Sequence, residues 1–313
     1  MDEQRTILRT CGAVILGALI LRLVAPVFSA GGFWSLPILL QTGRVVKLPT
    51  EEITIEATEP PATEPEPVLP VFSEEDRALV QLSNASGYSV NLTQLLTDPL
   101  PWQESPTVLI LHTHGTESYT RTEDYKESSL YRTSDTGYNV VSIGDQLAAL
   151  LENAGIRVIH DRTMYDLTDY NSAYLNARSG IQAALAADPS VFLVLDLHRD
   201  AATDSSGTAV GKTVTTEKGQ AAQLMFVMGT DAGGYTHPQW AQNLSLAVKL
   251  QAQLERTCPG ICRPISLRTS RYNQDLSAGA LLVEVGFTGN TRQEALLATE
   301  ILADAIIALS GKG

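Results

Sequence analysis

The chain reads as an α/β protein: a mostly parallel twisted sheet of about six strands with helices on both faces, preceded by a transmembrane helix and a disordered linker. Three observations predict it. Short apolar runs recur at residues 108–111, 156–160, 191–197, 224–228 and 280–285, with a weaker sixth at 264–267. Runs this short and this apolar are expected of strands buried on both faces. Between them apolar residues recur at helical spacing, so strands and helices alternate.

The elements follow in chain order. Residues 11–28 are apolar except for Arg22 and Pro26, close to the roughly 20 residues a bilayer-spanning helix needs. Arg5 and Arg9 precede the run and favour an N-terminus that stays inside. Phe28-Ser29-Ala30-Gly31 offers the small residues of a cleaved signal peptide as the competing reading. In both cases the rest is exported, and the uncleaved reading makes this a single-pass membrane protein with an extracytoplasmic domain. Residues 51–76 then carry nine acidic side chains, five prolines and no Lys or Arg, a composition that cannot bury enough apolar area to order itself. The expected divisions are an anchor over 1–30, an acidic linker over 31–76, a lead-in over 77–105 and one globular domain over 106–313. Leu92, Leu95 and Leu96 give the lead-in a helical cluster.

Within the domain, Val140, Ile143, Leu147, Leu150 and Leu151 form one helical stripe, with Gly155 placed to end it. Tyr174, Ala177, Ile181 and Leu185 form a second, closed by Asp188-Pro189. Trp240, Leu244, Ala247, Leu250 and Leu254 form a third, and Leu297, Ile301, Ile306 and Leu309 a fourth. No repeat is visible at any useful period.

Charge and cysteine content narrow the function classes. A net charge of −13 argues against a nucleic-acid partner, since phosphate binding needs a basic face. Three cysteines are too few for a disulfide scaffold. Cys258 and Cys262 either close a small loop or stand as two thiols.

Chemistry collects at the strand ends, where open parallel sheets bind ligands. His112-Thr113-His114-Gly115-Thr116-Glu117 follows the first domain strand, His198-Arg199-Asp200 ends the third, and Glu284 lies inside the last. Two histidines and a carboxylate suit a catalytic zinc, with a separate carboxylate to shuttle a proton. Arg199 is a candidate for oxyanion stabilisation or for a peptide carboxylate, with pairing to Asp200 as the plainer role. Tyr119, Tyr125, Tyr131 and Tyr138 are candidates for stacking on sugars or for anchoring their loop. His160 reads as a satisfied histidine at the cleft rim, His237 as a capping or surface residue, and Asn290 and Arg292 as shaping the last helix start.

The segment from Leu109 to Tyr119, with His112-Thr113-His114-Gly115-Thr116-Glu117-Ser118-Tyr119, resembles the HTHxTESY block of the sporulation stage II protein P family. Arg132-Thr133-Ser134-Asp135-Thr136-Gly137-Tyr138-Asn139 and Asp196-Leu197-His198-Arg199-Asp200-Ala201 are similar to further blocks of that family. Leu282-Val283-Glu284-Val285-Gly286-Phe287-Thr288-Gly289-Asn290 is similar to an ending shared with zinc N-acetylmuramoyl-L-alanine amidases.

The resemblance implies zinc-dependent cleavage of the amide between N-acetylmuramic acid and L-alanine of peptidoglycan during sporulation and engulfment, with added endopeptidase activity. It makes His198 a zinc ligand and Glu284 the catalytic carboxylate. Aligning the trailing glycine puts His114 in the first ligand slot, with His112 beside it as a supporting group. Glu117 and Asp135 both remain candidates for the carboxylate ligand, Glu117 favoured for its reach. A lytic transglycosylase, sporulation stage II protein D, is the implied partner. A zinc peptidase or deacetylase and a non-catalytic wall-binding scaffold are the rival readings.

Overall fold

The computed structural model describes residues 69–99, 106–126 and 130–312. The apolar run at 11–28 and most of the acidic segment lie outside them. Among the described residues no helix is long and apolar enough to cross a membrane.

The strands are β1 (Leu82–Asn84), β2 (Thr107–Leu111), β3 (Val158–His160), β4 (Val191–Asp200), β5 (Thr213–Thr216), β6 (Gly219–Ala222), β7 (Leu224–Met228), β8 (Ile265–Leu267) and β9 (Gly279–Phe287). The helices are α1 (Leu92–Thr97), α2 (Val140–Asn153), α3 (Ala173–Ala187), α4 (Trp240–Thr257) and α5 (Arg292–Leu309). Seven strands form one sheet in the order β1-β8-β7-β9-β4-β2-β3, while β5 and β6 form a separate hairpin. Every pair in the large sheet is parallel except β7 with β9. The class is α/β, and the sheet is mixed.

All six expected strands are present, and β1 adds a seventh from inside the lead-in. That strand has three residues and polar neighbours, so no apolar run announces it. The hairpin also went unread, because Thr213–Thr216 alternates exposed and half-buried positions with little apolar content. The four helical stripes and the α1 cluster fall where the spacing predicts. Gly155 adopts φ 76° just beyond α2, the left-handed turn a helix-ending glycine supplies.

Alternation along the strands decides what each face holds. Val108 and Ile110, with Leu193, Leu195, Leu197, Leu281, Val283 and Val285, pack into the larger core under α2, α4 and α5. Leu109, Leu111, Val194 and Ala280 point the other way, where α3 covers them with Ala177 and Ile181. One face therefore carries three long helices and the other carries one.

Helix α5 opens with a capping box between Thr291 and Glu294. Asn290 Oδ1 accepts from Phe287 N at 2.9 Å, and its amide donates to Glu294 at 2.9 Å, so the residue turns the chain out of β9. Arg292 instead reaches across to Ser142 Oγ on α2, at 2.8 Å.

Candidate active site

From β2 the chain goes through α2 to β3 on one side, then through α3 to β4 on the other. The carboxyl ends of β2 and β4 thus flank the point where the winding direction reverses, the place such sheets hold ligands. His114 follows β2 and His198 ends β4. Their rings stand 5.4 Å apart between centroids, nearly perpendicular, and both are buried.

Strand register brings in the carboxylate. His198 and Glu284 are direct partners on the parallel pair β4 and β9. By alternation both sit on the α3 face, away from the larger core. Glu284 Oε2 is buried without a hydrogen-bond partner among the described residues. Burial pushes the Glu284 carboxyl up to about 8, with the Glu117 and Asp200 carboxylates adding to the rise and His198 opposing it. A carboxyl held there is poised to exchange a proton near neutral pH.

Glu117 enters from the turn after His114. Its Oε2 lies 3.4 Å from His198 Nδ1 and accepts from Arg199 N at 3.1 Å. Burial opposes its ionisation, but the His198 ring and Arg199 guanidinium outweigh that and hold its pKa below the usual carboxylate value. Burial likewise pulls the His198 pKa down, yet Asp196 and Glu117 hold it well above the ordinary imidazole value.

Two aspartates that the residue pattern left without a role brace this group. Asp196, two residues before His198 on the same strand face, accepts from Thr113 N at 2.8 Å and Thr113 Oγ1 at 2.6 Å. Its Oδ1 is 3.0 Å from His198 Nε2, but out of line for a hydrogen bond. Asp166 accepts from Thr116 N and from Arg132 at 3.1 and 2.8 Å, and lies 3.8 Å from His114 Nδ1. That last distance is too long for a hydrogen bond, so His114 Nδ1 is buried and unpartnered. Alternation in Asp196-Leu197-His198 was a usable signal for the first aspartate. Asp166 sits in a loop that no motif marks.

Other candidates are placed elsewhere. His112 lies on the opposite sheet face, against Gly144 of α2; it directly follows β2, whereas His114 sits two residues further on, in the turn. The His112 Nδ1–H donates to Leu197 O at 3.2 Å, and its Nε2 is 2.9 Å from His160 Nε2. Burial and the His160 ring beside it bring its pKa down to about 3, so it stays neutral. His160 is therefore satisfied, behind the sheet between His112 and Asp145. Asp135 is exposed, and its carboxylate accepts from Gly137 N within a tight turn; it does not join the group.

Arg199 is buried, and it does not pair with Asp200. It donates to Ser118 O and Tyr131 O at 2.9 and 2.8 Å and lies 3.5 Å from Glu117. Asp200 binds Arg263 instead, at 2.6 Å. Arg199 also lines a cavity of about 430 Å³ together with Glu117 and Tyr131.

Among the tyrosines, Tyr119 is in the core with its hydroxyl on Val285 O at 3.0 Å, and Tyr125 stacks on Tyr138 at 4.7 Å. The rings beside the histidines are others. Tyr170 stacks on His114 at 4.2 Å, and Tyr174 meets His114 at 5.5 Å and His198 at 6.4 Å. His237 is fully buried and neither ring nitrogen has a partner among the described residues, so its side chain caps no helix, though its backbone O accepts from Trp240 N at 3.3 Å. Cys258 and Cys262 are both free thiols, the second buried.

A divalent cation suits this donor set. Unpartnered nitrogens on His114 and His198 are buried beside Glu117, and three further carboxylates surround them. The same surroundings already favour a positive charge on His198. Among the described residues no three such side chains are yet gathered in ligating geometry, since His198 and Glu117 face one another. The chemistry of the donors fits zinc.

Comparison with known proteins places the chain. Stage II sporulation protein P of Bacillus subtilis (strain 168) is 28% identical over 264 residues, which is 79% of this chain and 61% of that protein. The chain thus spans about three fifths of the length of this curated relative. Among solved structures, an N-acetylmuramoyl-L-alanine amidase of Nostoc punctiforme shares 16% identity at a TM-score of 0.41, over 65% of this chain and 96% of that one. Another from Clostridium difficile 630 shares 15% at 0.39, over 66% and 96%. The family description "Stage II sporulation protein P (SpoIIP)" matches residues 56–307, and on that match across most of its length the chain belongs to the stage II sporulation protein P family.

Proposed function

We propose that this protein is a peptidoglycan hydrolase that cleaves the amide between the lactyl group of N-acetylmuramic acid and L-alanine of the stem peptide. His114, His198 and Glu117 hold a zinc ion, and Glu284 is the catalytic carboxylate. The observation that carries the reading is the pairing of His198 with Glu284 across β4 and β9, with buried unpartnered atoms on both. Burying such groups without partners is costly, and a ligand is the economical explanation.

Zinc bound there would supply Lewis acidity and lower the pKa of the attacking water. The other roles belong to the chain. Glu284 takes the proton of the attacking water and returns it to the departing amine of L-alanine. A neighbouring cation brings its carboxyl down from about 8 towards the working pH. Arg199 keeps Glu117 ionised and oriented, and the Asp196 carboxylate beside Nε2 steadies the neutral His198 ring with its Nδ1 towards Glu117. Tyr170 and Tyr174 close the ring faces of the histidines against bulk water.

The apolar run at 11–28 and the acidic spacer after it support a membrane-tethered enzyme with this domain outside the cytoplasm. A lytic transglycosylase, cutting the glycan that this enzyme strips, is the partner the reading implies.

The test uses the full chain in detergent, purified without chelator. Zinc content, thermal melting and release of stem peptides, followed by mass spectrometry, are measured for wild type and Glu284→Gln. The variant should keep its zinc and melting temperature and lose about two to four orders of magnitude in rate. Wild type that binds no zinc and releases no peptide, or a variant with near-normal turnover, would overturn the assignment.

A further inference from the structure

Tyr174 is a shared wall. One side of its ring meets His114 and His198. It also lines a cavity of about 400 Å³ with Arg178, Tyr235, Arg271, Tyr272 and Asn273. None of those five residues belongs to the catalytic group.

The cavity is built from held parts. Tyr272 and Asn273 are consecutive non-glycine residues at φ 51° and 58°, a left-handed conformation that costs on the order of 1 kcal/mol each and persists only when the surroundings enforce it. Here they do. Asn273 Nδ2 donates to Tyr174 O at 2.7 Å, which fixes the lip to the first turn of α3. Arg178, one turn further on, donates both ends of its fork to Asp275, at 2.9 and 2.7 Å. Across the cavity Gly233 N donates to Thr269 O at 3.0 Å, which joins the two loops.

The charges differ in how far they are used. Arg178 is spent on Asp275. Arg271 makes one long bond to the same carboxylate, 3.4 Å, and lies over the Tyr235 ring at 4.8 Å. No other protein bond uses its guanidinium among the described residues. With one aspartate shared between two arginines, the cavity wall is net positive in a chain whose net charge is −13. A guanidinium with donors to spare, backed by an aromatic face, is a carboxylate receptor.

We propose that this cavity is a subsite for the peptide arm of the substrate, with Arg271 binding a free carboxylate of that arm beyond the scissile amide. The proposal rests on the amidase reading for its choice of occupant. In that substrate the lactyl carboxyl is consumed in the amide under attack, so the remaining carboxylates belong to the peptide. The glycan offers none to an arginine. Tyr174, already against the histidines, sets the arm at a distance of one or two residues from the reacting carbonyl.

The test compares muramyl-L-alanyl-D-glutamate, its carboxylates free, with the same compound amidated. Wild type and Arg271→Gln, as full chains in detergent with matched melting temperatures, are assayed on both. Wild type should favour the free acid about tenfold or more in kcat/KM, mostly through KM, and Arg271→Gln should erase that ratio. Arg271→Lys should restore part of it. Equal loss on both compounds, or a ratio unchanged by the substitution, overturns the subsite. A second measurement separates this from the hydrolase reading: L-alanyl-D-glutamate and its amide are titrated at equilibrium. If wild type cleaves neither muramyl compound yet binds the free dipeptide tenfold tighter than Arg271→Gln does, the hydrolase reading fails and the subsite stands. If wild type shows no preference for the acid in binding, the subsite fails whatever the activity.

Discussion

Asp196 accepts two hydrogen bonds from Thr113, one from the backbone and one from the hydroxyl, and so ties the carboxyl end of β2 to β4. The same carboxylate sits 3.0 Å from His198 Nε2. One side chain thus sets the spacing between the two strands that deliver the histidines. Asp196→Asn keeps an acceptor for Thr113 but removes the charge beside His198. It should fold, with zinc affinity down about 10- to 100-fold. Asp196→Ala also leaves Thr113 unpartnered and should cost about 2–3 kcal/mol of stability as well. Metal titration and thermal melting of both variants check this; wild-type zinc affinity in Asp196→Asn would mean the charge has no role, and equal melting of the two variants would mean the Thr113 bonds have none.

The two carboxylates proposed for one ligand position now have different expectations. Glu117 is buried against His198, whereas Asp135 is exposed and accepts from Gly137 N in a turn. Glu117→Ala should abolish stoichiometric zinc. Asp135→Ala should retain it and lower stability by no more than about 1 kcal/mol. Metal content of the two proteins, measured side by side, decides; zinc lost from Asp135→Ala would reverse the assignment.

Gly144 in α2 is a close-approach position. A Cβ there would fall 2.5 Å from His160 Nε2 and 2.6 Å from His112 Nε2. Glycine to alanine in a helix interior ordinarily gains about 1 kcal/mol. Here the His112–His160 pair must be pushed apart, and overpacking of a filled core costs about 1–3 kcal/mol. Gly144→Ala should therefore lower the melting temperature, and a rise would show that the pair can yield.

Lys249 on α4 gives a pH signature away from the site. Its ammonium is buried, donating to Leu95 O and to Ser245 Oγ at 2.7 Å. Burial depresses its pKa to about 8, below the unfolded value of 10.5. Between those two values the unfolded chain holds this proton more tightly than the folded one. Stability from this group therefore rises as pH climbs from about 8 to 10.5. Lys249→Met should flatten that rise and should not destabilise at pH 7, because Ser245 Oγ still donates to Leu95 O. Melting curves from pH 7 to 10.5 for both proteins test it, and a wild-type-like rise in the variant would clear Lys249 of the effect.

Much of the fold was legible because its strands are apolar on both sides and its helices carry regular stripes. What escaped is short or polar: β1 with three residues, and the β5–β6 hairpin with exposed threonines. The candidate site was legible as a cluster where a polar residue interrupts an apolar strand, as Glu284 and His198 do. Turn residues were harder. Asp135 stands near Asn139 in sequence, but spacing alone does not tell whether a turn faces a cleft or water. The plainer role for Arg199, pairing with Asp200, overlooks that adjacent strand residues point to opposite faces. His112 directly follows β2 and keeps its alternation, whereas His114 lies in the turn beyond, where alternation no longer sets the side.

The uneven helix cover has a consequence for how this protein can change. The candidate-site side chains hang from the thinly roofed face, under α3 alone, while α2, α4 and α5 form a thick underlay on the other side. Reshaping α3 and the loops that border it alters the groove without reopening the heavier core. A lineage could thus retailor what the groove accepts while the strands that position His198 and Glu284 stay as they are.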